Sequence, residues 1–223
     1  MDKKLIIAID GPAGAGKTTI AKSLASKLNI PYISTGALYR ALALKCLQNG
    51  LDASSEDVAT QIANTTTVST TYQNGRQIIW LDGVDVTDKL YTDSVSDVAS
   101  KISTHKVIRR HILEAQRKIA QNQSVVMDGR DIGSIVLPMA NYKFYLDADV
   151  GVRAQRRYDE LIKKGEKVSY QEVLDDLKER DFRDKTRNIS PLVVCKDAIA
   201  IDCTNLSISQ VVDKFLEYIE DKK

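Results

Sequence analysis

Cysteine, histidine, proline and net charge are all scarce in this chain of 223 residues, and each scarcity excludes something. Its three cysteines, Cys46, Cys195 and Cys203, form no CxxC pair and leave an odd thiol in any pairing scheme. A disulfide scaffold is excluded, and buried apolar thiols in a reducing compartment are expected. Only His105 and His111 offer imidazole, and no Cys or His stands at zinc-ligand spacing, so no structural metal is expected. Four prolines and no repeat or low-complexity tract leave nothing to read as a linker. With 32 basic and 30 acidic residues the net charge is +2, so no global field draws the chain to nucleic acid or anionic lipid. The apolar run Leu5–Ile9 is ended by Asp10, too short for a signal h-region or a membrane span. The expectation is a soluble, cytoplasmic protein with neither a membrane nor a nucleic-acid partner, and a monomer, because no heptad pattern or spare apolar face remains.

What is present suffices for a core: 43% of residues are hydrophobic and 28% charged, over a length that suits one domain with a modest insertion. Apolar runs at Leu5–Ile9, Ile30–Ile33, Ser124–Met127, Lys143–Leu146 and Ala198–Ile201 are each followed by an amphipathic stretch. That alternation predicts an α/β fold with a parallel sheet flanked by helices. Between Thr66 and Thr87 the pattern changes to short β-branched runs joined by Asn74-Gly75 and Asp82-Gly83, which predicts a small antiparallel β insertion.

Gly11-Pro12-Ala13-Gly14-Ala15-Gly16-Lys17-Thr18 matches GxxxxGK[ST] in full, between the first apolar strand and a helix that begins near Thr19. Glycines there let successive N–H groups turn around phosphate oxygens at a positive helix end. Lys17 is expected on the β- and γ-phosphates and Thr18 on Mg²⁺. The loop, Gly11 through Thr19, is read as a nucleoside triphosphate site. It does not by itself separate hydrolysis from transfer to an acceptor. No Asn-Lys-x-Asp string reads guanine, and the strand ending at Asp128 continues with Gly129-Arg130-Asp131 instead of the acidic pair common in ATPase motors. Asp128 is a candidate Mg²⁺ or water-orienting carboxylate.

Arginines point to a second anion. Arg180, Arg183, Asp184 and Arg187 stand at i, i+3, i+4 and i+7, one helical face bearing three cations and one anion. An ordinary surface helix could carry an Arg180–Asp184 pair, but Arg183 and Arg187 repel at i,i+4 unless an anion lies between them. Arg40 follows one turn after Thr35, which is positioned to cap a helix. Arg130 lies just past a parallel strand, where ligands of open α/β sheets bind. Arg40 and Arg130 are therefore expected near an acceptor phosphate. Residues 101–130 hold seven Lys or Arg against Glu114 and Asp128, a local excess of +5, but without interleaved aromatics for base stacking.

In GPAGAGKT, TGALYR, MDGRDIG and RDFRDKTRNISPL the chain resembles the bacterial cytidylate kinases, in order and spacing from the first strand to the last helix. The phosphate loop alone indicates only the P-loop superfamily; DGRDIG with RDxRDxxR is more specific. The resemblance implies a nucleoside monophosphate kinase fold: a five-stranded parallel sheet, a monophosphate-binding insertion near residues 62–100 and an arginine-bearing lid near 152–187. It implies transfer from ATP to CMP or dCMP with Mg²⁺. It implies Thr35, Arg40, Arg130 and Arg187 around the acceptor phosphate, Arg180 and Asp184 near the pentose, and Ser100, Arg109 and Asp131 on the base. Lys17, Asp128, Arg130 and Arg187 are the implied catalytic group.

The Asp131 role has chemical sense of its own, because cytosine offers an exocyclic amino donor at N4. Uracil would turn O4 toward that carboxylate, a penalty of ~1–3 kcal/mol or more. Ser34 stands before TGALYR where the family commonly has Asp, so Asp128 is left as the acidic candidate for organising Mg²⁺. Arg153, Arg156, Arg157 and Lys163-Lys164-Gly165 fall where the lid should begin, and the sequence does not say which of them reaches the phosphates.

Overall fold

The computed structural model describes residues 4–221. Five strands, β1 (Ile6–Asp10), β2 (Tyr32–Ser34), β6 (Val125–Gly129), β7 (Tyr142–Asp147) and β8 (Ile199–Asp202), form one parallel sheet in the order β2-β6-β1-β7-β8. Three more, β3 (Val68–Gln73), β4 (Arg76–Leu81) and β5 (Val84–Asp85), form a separate antiparallel sheet. The helices are α1 (Lys17–Leu28), α2 (Gly36–Gln48), α3 (Glu56–Thr65), α4 (Asp93–Ile102), α5 (Lys106–Asn122), α6 (Val150–Lys163), α7 (Tyr170–Thr186) and α8 (Ile208–Glu220). None of the described helices is long and apolar enough to cross a membrane. The expected α/β class, parallel sheet and small antiparallel insertion are all present.

The described chain divides into two compact units. The first comprises residues 4–5 and 30–127. Its antiparallel sheet is built from two tight turns: Asn74 and Gly75 have φ of 51° and 76°, and Asp82 and Gly83 have 50° and 81°. Two consecutive positive φ values match the right-handed strand twist, which is why Asn-Gly and Asp-Gly serve here. Leu38 and Leu42 of α2, Ile62 of α3, Ile79 and Leu81 of β4, and Ile108 and Ile112 of α5 close over one another as its core. The side-chain amide of Gln77 on β4 grips the backbone of Ser34: Ser34 N–H donates to Oε1 at 2.9 Å and Nε2 donates to Ser34 O at 3.2 Å.

The second unit comprises residues 6–29 and 128–221. β1 pairs in parallel with β7, Ile9 opposite Phe144 and Asp10 opposite Tyr145, and β7 pairs in parallel with β8. Four of the five β1 residues are buried, as a strand covered on both faces requires. α8 lies against β7 through Phe144 and Phe215, whose rings stack at 3.9 Å. α6 and α7 pack through Ala154, Leu161, Val173 and Leu177, with Ala13 of the phosphate loop in the same cluster. Ser169 and Glu172 form a capping box that starts α7.

Three details differ from expectation. Thr35 stands at the N-cap of α2 but makes no capping hydrogen bond. Arg187 does not continue the arginine stripe: α7 ends at Thr186, and Arg187 is its C-cap, with ψ of 139°. Of the three thiols, Cys46 and Cys203 are buried but Cys195 is partly exposed.

Candidate active site

The phosphate loop leaves the end of β1 with no room to spare. A Cβ on Gly11 would lie 2.0 Å from the Leu146 carbonyl oxygen, so no larger residue fits without moving β7. Gly16, at φ 84°, is the N-cap of α1 and offers no side chain to its first amides. An uncapped helix start after a glycine-rich turn is a place where an anion meets N–H groups and the positive helix end together.

Lys17 is buried and donates to the Pro12 carbonyl at 2.6 Å. Burial, then the neighbouring Arg130 charge, pulls its ammonium down to about 7, with Asp128, Asp184 and Asp10 opposing. A lysine held this way is short of negative charge, which a triphosphate supplies. Thr18 Oγ1 donates to Asp128 Oδ2 at 3.0 Å across 110 residues of sequence. The motif residue and the strand-end carboxylate thus meet, forming a pair of hard oxygen donors.

The arginine cluster is built differently from a single helix face. Arg130 Nε donates to Asp184 Oδ2 at 2.7 Å, and Arg187 Nη1 to Asp184 Oδ1 at 3.2 Å, so two guanidiniums converge on one carboxylate. Arg187 Nε is steadied by the Ser190 carbonyl at 2.7 Å. Burial works against ionised Asp184, but Arg130 and Arg187 outweigh it and hold the carboxyl below its ordinary value. Arg180 and Arg183 turn instead to Asp176 and Glu179, one helical turn back, at 3.2 and 2.5 Å. The Arg180–Asp184 pair of an ordinary surface helix is replaced by Arg130–Asp184. Asp184, expected near a pentose, carries a guanidinium on each oxygen.

Asp131 follows directly. It is buried and is the N-cap of a short π turn over Ile132–Val136, yet its side chain makes no capping bond. The three candidate lid arginines are sorted by their partners. Arg153 is buried, donating to the Ala13 carbonyl of the phosphate loop and to Ala148, both at 2.9 Å, and pairing with Asp181 at 2.7 Å. Arg156 donates to the Cys203 carbonyl at 3.0 Å, and Arg157 pairs with Glu160 at 3.2 Å. Asp181, and the bond that ties Arg153 to the loop's backbone, were beyond the reach of sequence reasoning, because neither partner is near Arg153 in a side-chain pattern.

In the first unit, Thr35 is buried at the start of α2 and Arg40 stands over the Tyr91 ring at 5.6 Å. Arg109 is buried, not part of a helix surface; its Nε donates to the Ser103 carbonyl at 2.7 Å and its guanidinium stands 5.4 Å from the Tyr39 ring centre. Ser100 lies on α4, its carbonyl accepting from the Ser103 hydroxyl at 3.0 Å. Each arginine here is oriented by an aromatic face, a contact that uses the planar guanidinium.

A parallel sheet whose first strand runs into a GxxxxGK[ST] loop, with an arginine–carboxylate cluster in the same unit, defines the class as a P-loop kinase of the nucleoside monophosphate kinase type. Within that class the chain belongs to the cytidylate kinase family, whose model matches residues 7–221. It is 47% identical over 215 residues to the cytidylate kinase of Caldicellulosiruptor bescii, covering 96% of this chain and 95% of that one. It is 42% identical over 222 residues to the cytidylate kinase of Bacillus subtilis, covering 100% and 99%. A solved shikimate kinase from Bacteroides thetaiotaomicron shares the fold, with a TM-score of 0.50 at 14% identity over 97% of this chain and 98% of that one.

Proposed function

We propose that this chain transfers the γ-phosphoryl group of ATP to CMP or dCMP, giving ADP and CDP or dCDP, as a cytoplasmic monomer in pyrimidine nucleotide metabolism. The observation that carries the reading is one cluster: Lys17 and the Thr18–Asp128 pair for a triphosphate, with Arg130 and Arg187 beside them on Asp184 for a second anion. A hydrolase has no use for that second cationic pair; a transferase to a phosphorylated acceptor does.

In this reading the loop Gly11–Thr19 binds the donor phosphates, and Lys17 follows the charge of the transferring group. Arg130 and Arg187 take the acceptor phosphate together with Thr35 and Arg40; Arg180 and Asp184 serve the pentose; Ser100, Arg109 and Asp131 read the base. Residues 62–100 act as the acceptor-binding insertion and 152–187 as the lid. Mg²⁺ fits the Thr18–Asp128 pair, because it prefers hard oxygens and takes few from protein while sharing the rest with phosphates and water. When bound, the ion neutralises charge on the β- and γ-phosphates. The chain's own task is alignment and water exclusion, since a monophosphate dianion near neutral pH needs no general base.

The test is ADP formation from Mg·ATP with CMP, dCMP, UMP and AMP in parallel, against a blank without acceptor. Turnover confined to CMP and dCMP supports both the two-anion site and the cytosine reading. Turnover with another acceptor removes the base assignment, and ADP release independent of acceptor removes the transferase.

A further inference from the structure

Three carbonyls of the phosphate loop are taken by side-chain donors: Pro12 O accepts from Lys17 Nζ at 2.6 Å, Ala13 O from Arg153 Nη1 at 2.9 Å and Ala15 O from the Cys203 thiol at 3.4 Å. The Ala13 bond differs in kind. Arg153 is 5% exposed, stands in the first turn of α6 and gives its whole guanidinium to fixed partners: Nε donates to the Ala148 carbonyl at 2.9 Å and Nη2 pairs with Asp181 of α7 at 2.7 Å. Two carbonyls and a carboxylate thus lie in three directions around one planar fork, a geometry that suits arginine and not lysine.

A buried ion pair is weak evidence for stability, because desolvating both charges cancels much of their attraction. What this pair fixes is a peptide plane. In a trans peptide the C=O and N–H point opposite ways, so a grip on the Ala13 oxygen from α6 turns the Gly14 N–H away from α6. Gly14 is exposed between buried Ala13 and Ala15, with φ of 73°, and a Cβ there would lie 3.3 Å from Arg153 Cβ. Glycine lets the loop lie against α6 at this point. Asp181 stands one turn before Asp184, so α7 carries one carboxylate to Arg153 and another to Arg130 and Arg187.

We infer that Arg153, oriented by Asp181, is a positioning residue for donor binding: it holds the Ala13–Gly14 peptide so that the Gly14 N–H meets the donor's phosphates. The inference rests on the reading of Gly11–Thr19 as the donor site. Arg153 touches no substrate in it; it acts through the backbone of the loop.

The test is binding of a non-hydrolysable ATP analogue and of CMP, each alone, by isothermal titration to the full-length protein, to Arg153→Met and to the double variant Arg153→Met with Asp181→Leu, with Tm measured alongside. Arg153→Met leaves the Asp181 carboxylate buried without its cation, so Tm should fall. The double variant removes that charge as well and should recover much of the loss, since apolar side chains can replace a buried ion pair at little cost. Neither variant holds the Ala13 carbonyl, so both should bind the analogue ~10-fold or more weakly, the range of one hydrogen bond to a charged group, with CMP affinity within about twofold of wild type.

If affinity for the analogue returns together with Tm in the double variant, Arg153 acts only through the fold and the inference falls. An equal loss for the analogue and for CMP has the same meaning. A wild-type protein that binds CMP but not the analogue removes the donor reading of the loop, and the inference with it; one that binds the analogue keeps that reading whichever way the variants fall. Should both variants fail to fold, Arg153→Lys decides: it keeps a cation beside Asp181 but cannot serve three acceptors in three directions, and an analogue affinity equal to wild type overturns the inference.

Discussion

Replacing Asp184 by Asn tests the charge balance of the arginine cluster. The carboxylate accepts from Arg130 at 2.7 Å and Arg187 at 3.2 Å, and its side chain is 13% exposed against 28% and 4% for the two arginines. The amide keeps the shape and removes the charge, leaving two guanidiniums facing each other across a neutral group. Removing one partner of a fully buried ion pair costs about 3–5 kcal/mol; partial solvent access at Arg130 lowers the expectation to about 2–3 kcal/mol. For a chain of this size that is a fall in Tm of roughly 4–12 °C.

The loss has a pH signature, because Asp184 ionises below its ordinary value in the fold. Its contribution is fully present above the unfolded carboxyl value of 3.8 and disappears as pH falls through the lower native value. Urea unfolding of both proteins at pH 7, 5 and 3 should therefore show a gap that is constant between the first two and shrinks at the third. An anion offers a second check: CMP or inorganic phosphate should raise the variant's Tm by more than the wild type's, since it restores the missing charge. A variant within about 0.5 kcal/mol of wild type at pH 7, with equal ligand-induced shifts, would falsify the claim that Asp184 holds the two arginines together in the free protein.

The strands were legible because parallel strands covered on both faces are written as unbroken apolar runs. Leu5–Ile9 against the observed Ile6–Asp10, and Ser124–Met127 against Val125–Gly129, show where that signal stops. Both strands run on into an aspartate, and an ionisable residue reads as an end when its partner is far away in the chain. Asp10 is satisfied by Ile132 and Gly133, and Asp128 meets Thr18. The hairpin turns were legible for the opposite reason: Asn74-Gly75 and Asp82-Gly83 carry their backbone requirement within two residues.

The site divides along the same line. The phosphate loop is one contiguous string whose glycines, Lys17 and Thr18 act as neighbours, so its position followed from the sequence. The arginines of the α7 stripe are divided among different partners, which the sequence did not show because a helical wheel assigns faces and not partners. Acids one turn earlier, Asp176 and Glu179, claim Arg180 and Arg183, while the end of the helix at Thr186 frees Arg187 to turn toward Asp184. Arg153 was read as one of three possible lid arginines, but its bond to the Ala13 carbonyl fixes it to the loop backbone, which no side-chain pattern encodes.

Arg130→Ala should lower kcat/KM for CMP by ~10³-fold, as loss of an arginine that neutralises a transferring phosphoryl group does, with ATP affinity within a few-fold; isothermal titration with a non-hydrolysable ATP analogue and steady-state rates separate the two. Phe215→Ala removes a ring that is 0% exposed and stacked at 3.9 Å on Phe144, so chemical denaturation should show a loss of about 3–5 kcal/mol, and less than 1 kcal/mol would mean that α8 is not part of the core it covers. Asp10 gives the last test. Burial pushes its carboxyl up from 3.8 to about 6, against the pull of the Gly133 and Ile132 amides. A raised native value means that between pH 3.8 and 6 the folded state holds a proton the unfolded state has released. The stabilising term is therefore complete below pH 3.8 and lost as pH rises through about 6. Asp10→Asn cannot titrate, so the stability of wild type relative to that variant should drop by about 2 kcal/mol between pH 4.5 and 7, measured by urea unfolding. A difference that does not change with pH would mean that the amides of Ile132 and Gly133 compensate the buried charge in full, and that Asp10 ionises in the fold as it does in water.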